Sequence, residues 1–183
     1  MKGIIFDVAA EVVRDTFGDD AWDDLLDAVG SDGAFTALGS YPDSDLVAII
    51  EAASDHLRVP ASDVTVMIGR SGYAILIGRY PGLVADLPDL RTCLASLNTI
   101  IHPEVLKLYP GANPPTFELH PDGPDLLLHY ISERGMCRLA EGLALGAADA
   151  FGEPVTVTHD SCRTRGDSSC ILRLRWSDGD EPD

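Results

Sequence analysis

Two groups of side chains in this 183-residue chain have the types and spacing for metal chemistry. The first is His102 together with Tyr130, Ser132 and Arg134. Histidine is the commonest metal ligand among side chains, although a lone one is more often structural. Tyr130, Ser132 and Arg134 alternate along a strand-like run, so their side chains point to one face. They offer a phenol, a hydroxyl and a guanidinium fork, a set suited to carboxylates. An axial ligand, an apolar slot and carboxylate anchors are the parts a haem requires. An ordinary polar strand face with an Arg–Glu pair would look the same on spacing alone.

The second group is Cys137, His159, Cys162 and Cys170, the last three in a His-x₂-Cys-x₇-Cys arrangement. Three thiolates and an imidazole form a closed tetrahedral set that fits structural zinc. The alternative is three buried reduced thiols beside an exposed histidine. Cys93 lacks partners in sequence and reads as a buried thiol. His56, His120 and His129 have no ligand-like spacing, and His120 and His129, on a hairpin, are expected at the surface or behind other ligands.

These residues need elements to position them. Residues 1–9 read as a short strand or the start of a helix. Helical spacing follows over residues 8–15 and 19–29, where Asp19 or Asp20 can cap. A further helix opens at Tyr41-Pro42-Asp43-Ser44, with Ser44 as N-cap and Leu46, Ile49, Ile50 and Ala53 on one face. A short helix spans Val64 to Ile68, Gly69-Arg70-Ser71-Gly72 interrupts or ends it, and Tyr73 to Ile77 continue as apolar material. Residues 86–107 carry the strongest helical period, through Leu87, Leu90, Leu94, Leu97 and Ile101. Pro103 directly after His102 predicts a kink or helix end there and biases His102 away from α geometry. Residues 116–120 and 125–131 read as antiparallel strands around Pro121-Asp122-Gly123-Pro124. A helix over residues 132–150 and a second hairpin, residues 155–158 with 171–176, complete an α+β chain with an antiparallel sheet.

The formal net charge of −17 disfavours nucleic acid and anionic membranes as partners, since both require cationic side chains. Much of the acidity lies in Asp15, Asp19, Asp20, Asp23, Asp24, Asp27 and the tail DGDEPD. No apolar run approaches the roughly 20 residues that span a bilayer, and no signal peptide is visible. A cytoplasmic setting is expected, with reduced cysteines.

Several of these motifs together carry a resemblance. The opening MKGIIFD, His102, Tyr109-Pro110, Gly111-Ala112, Pro114-Pro115 and Tyr130-x-Ser132-x-Arg134 resemble the haem nitric-oxide/oxygen binding (H-NOX) family, which includes the sensor domain of soluble guanylate cyclase. The resemblance covers essentially the whole chain. It implies one domain over residues 1–183, with an approximately 1–64 helical distal part and a 65–183 proximal part bearing the sheet, and haem b between them. It implies His102 as proximal iron ligand, Tyr130, Ser132 and Arg134 as propionate anchors, and Pro115 pressing on the porphyrin. Pro103 is not part of the motif.

Oxygen-binding members place a distal tyrosine in the helix after the Tyr-x-Ser-x-Arg motif. Here Leu139 stands at that position, and Ile5, Leu139 and Leu143 are candidates for the distal wall. Such a wall offers bound O₂ no hydrogen bond, whereas NO and CO depend far less on one. The implied protein is a sensor of NO and CO that excludes O₂ and has no catalytic activity of its own. The resemblance further implies that NO weakens or breaks the His102–iron bond and that the signal passes to a partner such as a histidine kinase or a cyclic-di-GMP enzyme (diguanylate cyclase or phosphodiesterase). Some bacterial members carry zinc in the region of Cys137, His159, Cys162 and Cys170. A peroxidase-like haem enzyme would want a distal His or Arg, which these candidates do not provide. The competing reading is a zinc-stabilised, redox-responsive or small-molecule-binding regulatory domain without functional haem.

Overall fold

The computed structural model describes residues 1–177; the acidic residues 178–183 lie outside them. The N-terminal part is helical. α1 (Gly3–Phe17) buries Phe6, Val8, Ala9, Ala10, Val12 and Val13 along one side, so residues 1–9 start a helix rather than a strand. α2 (Asp19–Val29) buries Trp22, Leu25 and Leu26 at helical spacing. Gly18 holds its N-cap position, and Asp19 and Asp20 lie in the first turn, where carboxylates suit the helix dipole. α3 (Asp43–Leu57) buries the expected Leu46, Ile49, Ile50 and Ala53. Its N-cap position is Pro42; Ser44 sits inside the first turn and donates to Asp45 at 3.3 Å.

α4 (Ala61–Arg79) runs unbroken through Gly69-Arg70-Ser71-Gly72, where the sequence predicted an end. The glycines are there for close approach. A Cβ on Gly69 would lie 2.7 Å from the Leu139 carbonyl oxygen, and one on Gly142 would lie 2.3 Å from that of Val66. Backbone contact between α4 and α7 (Cys137–Phe151) offsets the helix-weakening cost of glycine, about 1 kcal/mol each. Position 64/65, the expected division, falls inside α4.

The periodic stretch over residues 86–107 is not one helix. α5 (Leu90–Ser96) begins at Asp89, whose carboxylate accepts from the Thr92 backbone N–H at 2.6 Å. A π-helical turn, Leu97–Ile101, follows, and α6 (His102–Leu108) continues from it. Pro103 sits at the start of α6, where its missing N–H costs little, and His102 stays α-helical at φ −64°, ψ −39°. The irregularity expected at the proline is taken up in the π turn ahead of it.

The strands β1 (Thr116–Asp122), β2 (Asp125–Ile131), β3 (Val155–Ser161) and β4 (Cys170–Trp176) form one antiparallel sheet in the order β1-β2-β4-β3. Gly123 at φ 60° makes the tight β1–β2 turn possible. The inner face buries Phe117, Leu126, Leu128, Tyr130, Leu172 and Leu174 within the same core as α1, α3, α4 and α7. The outer face carries Glu118, His120, His129, Arg173 and Arg175. The fold is therefore α+β, helices first and sheet later, as the residue patterns predicted.

Candidate functional site

The first residue group assembles around residues 113–117. His102 is half-buried, and its ring lies 6.0 Å from that of Phe117, centroid to centroid. Asn98 in the π turn clasps the Phe117 backbone twice, donating to its carbonyl at 2.5 Å and accepting from its N–H at 3.1 Å. The Phe117 and Tyr130 rings meet edge-on at 5.8 Å. Arg134 donates to the Asn113 carbonyl and, at 2.9 Å, to Asp43 on α3. Its backbone N–H reaches the Ser132 hydroxyl at 3.3 Å. His102, Pro115, Tyr130, Ser132 and Arg134 thus converge on one short segment, although 32 residues separate the first from the last.

Electrostatics favour a neutral imidazole. Burial pushes His102 below its ordinary value, against a backbone hydrogen bond to Pro115 that raises it. A neutral ring with one nitrogen on the Pro115 carbonyl presents the other as a lone-pair donor. Burial pushes the Tyr130 phenol up, against hydrogen bonds from Ser132 and the Met136 backbone, so it stays a neutral donor. α6 itself has no buried residue. Ile5 on α1 and Leu139 and Leu143 on α7 are each half-buried, and their side chains offer no hydrogen-bond donor.

The second group is a clamp between α7, β3 and β4. Cys137, Cys162 and Cys170 are free and buried, and their sulfurs lie within 4.8 Å of one another, Cys137 to Cys162 at 3.5 Å. His159 stands beside them with its side chain almost fully buried. Its Nε2 lies 2.8 Å from the Glu141 carboxylate, while its Nδ1 is buried with no partner. Burial raises the Glu141 carboxyl, but hydrogen bonds from His159 and Arg138 overcome this and hold it below the ordinary range. An ionised carboxylate can only accept, so the proton is on Nε2 and the Nδ1 lone pair is bare. That is the histidine tautomer a metal requires, with the carboxylate as its orienting partner. Cys162 is prepared too. Burial raises its thiol, yet hydrogen bonds from Thr164 and Cys137 hold it down to about 6. Burial pushes Cys137 well up. Glu141 was not foreseen; its only trace in the sequence is its place one helical turn after Cys137.

A profile of the haem-NO-binding family matches residues 2–159. The chain belongs to this family, one of haem-based sensors for NO and CO rather than of enzymes. Among solved structures it is similar to an H-NOX protein from Shewanella oneidensis in the Fe(II)NO ligation state, at 30% identity and TM-score 0.90 over 97% of this chain and 100% of that one. An NMR structure from the same organism in the Fe(II)CO state is 30% identical, with TM-score 0.87 over 97% and 99% of the two chains. The Fe(II) unliganded H-NOX protein from Kordia algicida is 26% identical, with TM-score 0.85 over 100% of both. No curated protein matches the chain. No helix among the described residues is long and apolar enough to cross a membrane.

The residues present fit haem. A half-buried neutral imidazole, a phenol, a hydroxyl and a guanidinium gather around one segment. They also fit a tetrahedral metal, because His159 Nδ1 is otherwise an orphaned buried polar atom that costs about 1–3 kcal/mol.

Proposed function

We propose that this chain senses NO, and takes CO, at a ferrous haem b held by His102 as axial ligand, while excluding O₂. Tyr130, Ser132 and Arg134 would anchor the propionates, and Pro115 would press on the ring. The haem would supply the iron that the gas binds; the protein decides which gas stays. The observation that carries this selectivity is the distal candidate wall of Ile5, Leu139 and Leu143, half-buried and without a donor to stabilise a polarised O₂. The signal would leave through α6. No residue of that helix is buried, and Ile100, Leu106 and Leu108 in and beside it are 50%, 44% and 43% exposed. Exposed apolar side chains on the element that carries the ligand suit a partner protein, for which a histidine kinase or a cyclic-di-GMP enzyme is proposed. We further propose zinc in the Cys137, His159, Cys162 and Cys170 clamp, tying α7 to the terminal hairpin. The setting proposed is cytoplasmic.

An absorption spectrum of the reduced, haem-loaded protein tests the sensor reading. A Soret band that shifts on NO and CO but not on O₂ is expected, and a protein that takes up no haem on reconstitution rejects it. His102→Gly should remove the axial imidazole; an unchanged ferrous spectrum would rule out His102.

A further inference from the structure

The outer face of the sheet carries another group with ligand chemistry. Glu118, His120 and His129 each offer one ligand atom, and these lie within 4.8 Å of one another. The antiparallel register explains why. Glu118 pairs directly with His129 across β1 and β2, and His120 follows Glu118 by two residues, so all three project from one face. His120 Nε2 is 3.8 Å from a Glu118 carboxylate oxygen, and the two imidazole centroids are 4.7 Å apart. Donors on one Zn²⁺ at about 2.0–2.2 Å sit roughly 3.5 Å from each other. Rotation of the exposed Glu118 and His120 side chains would close that gap without moving the backbone.

The frame behind the group is firm. The alternate residues Phe117, Leu128 and Tyr130 are buried, and Leu119 packs against the same core. β1 is an edge of the sheet, so among the described residues no strand covers the group on that side. Arg173 lies on this face, and Asp122, Asp125 and Asp160 occupy its guanidinium at 2.7, 2.9 and 2.7 Å. The net charge of −17 draws cations toward the surface.

We propose that Glu118, His120 and His129 form a surface site for a divalent first-row transition metal of the Zn²⁺, Ni²⁺ or Cu²⁺ class, separate from both the His102 cradle and the cysteine clamp. Two imidazoles with one carboxylate select this class over Mg²⁺ and Ca²⁺, which take oxygen ligands. Three protein ligands leave a coordination position open to water or to a donor from another molecule.

Titration of the full chain with Ni²⁺, followed by calorimetry and by paramagnetic broadening of NMR signals, tests the site. Broadening centred on the His120 and His129 rings is expected. His120→Ala/His129→Ala should weaken this binding by about 100-fold, and Glu118→Gln by about tenfold. Glu118 and His120 are exposed and His129 is half-buried, and none is part of the core, so the variants should match the parent in thermal midpoint under chelator; His120→Asn and His129→Asn singly serve if the double variant does not. Ni²⁺ binding unchanged in the double variant overturns the proposal, as does binding lost only on Cys170→Ser or no binding by the parent at millimolar Ni²⁺.

Discussion

The two faces of the sheet are built from the same strands and do opposite things. On the inner face Phe117 pairs with Tyr130, and Tyr130 with Cys170, so one row runs across β1, β2 and β4 from the ring beside His102 to the cysteine clamp. One residue along, the row Glu118, His129 and Ile171 faces outward. The inner row is desolvated, its donors fixed by packing and by neighbours such as Glu141. The outer row is wetter, and its charges settle into a network around Arg173 in which Asp125 is the buried member. The lesson is energetic. Buried donors are ordered before a metal arrives, whereas exposed ones must be ordered by it, at a conformational-entropy cost of up to about 2 kcal/mol per long side chain.

The sharpest way to break the comparison is to strip metal from both faces. A strong chelator should lower the melting temperature of the zinc-loaded protein by about 10 °C or more, because a structural zinc contributes several kcal/mol and each shifts a domain of this size by about 2–4 °C. Cys162→Ser should lower it comparably without chelator. A midpoint indifferent to both, read by calorimetry, would dissociate the clamp from stability.

Side-chain truncation comes next. Leu172, fully buried on the inner face, should cost about 2–5 kcal/mol as Leu172→Ala in denaturant unfolding. Thr158→Ala, exposed on the outer face, should stay within about 0.5 kcal/mol. Similar costs at both would erase the distinction between the faces.

Acid titration separates the faces more gently. In the haem-free chain His102 is held below 6.5, so under that pH the unfolded chain takes up a proton that the folded one resists. Stability should fall as pH drops from 6.5 and level off once the folded imidazole charges. On the outer face, hydrogen bonds from Arg175 and Arg173 hold the Asp125 carboxyl down to about 2. Its contribution is complete above the ordinary value of 3.8 and should be lost only as pH falls from there toward 2. His102→Gln should remove the first slope and Asp125→Asn the second. A loss of stability confined to pH below 4 would reject the His102 assignment.

Much of this was legible beforehand because it is local. Period-two alternation put Tyr130 on the inner face of β2, although the strand ends at Ile131 and Ser132 and Arg134 follow in a turn, and the apolar spacing of α1, α2 and α3 set their buried faces. The donor types at Cys137, His159, Cys162 and Cys170 were plain from residue identity. The misreadings were non-local. α4 looked broken because glycines that weaken an isolated helix allow two packed helices to touch. Residues 86–107 looked like one helix because apolar period cannot distinguish α from π winding over a single turn.

Residue identity and local pattern alone mark which residues carry chemistry, which faces are apolar and where the strands lie, since each follows from neighbours a few positions away. Which of those residues meet is set by long-range packing. Strand register set Glu118 against His129 and Tyr130 against Cys170. The packing of α7 on the sheet turned His159 toward Glu141 and left its other nitrogen bare. Register and packing are settled by the burial of the whole core at once, so no spacing along the chain encodes them.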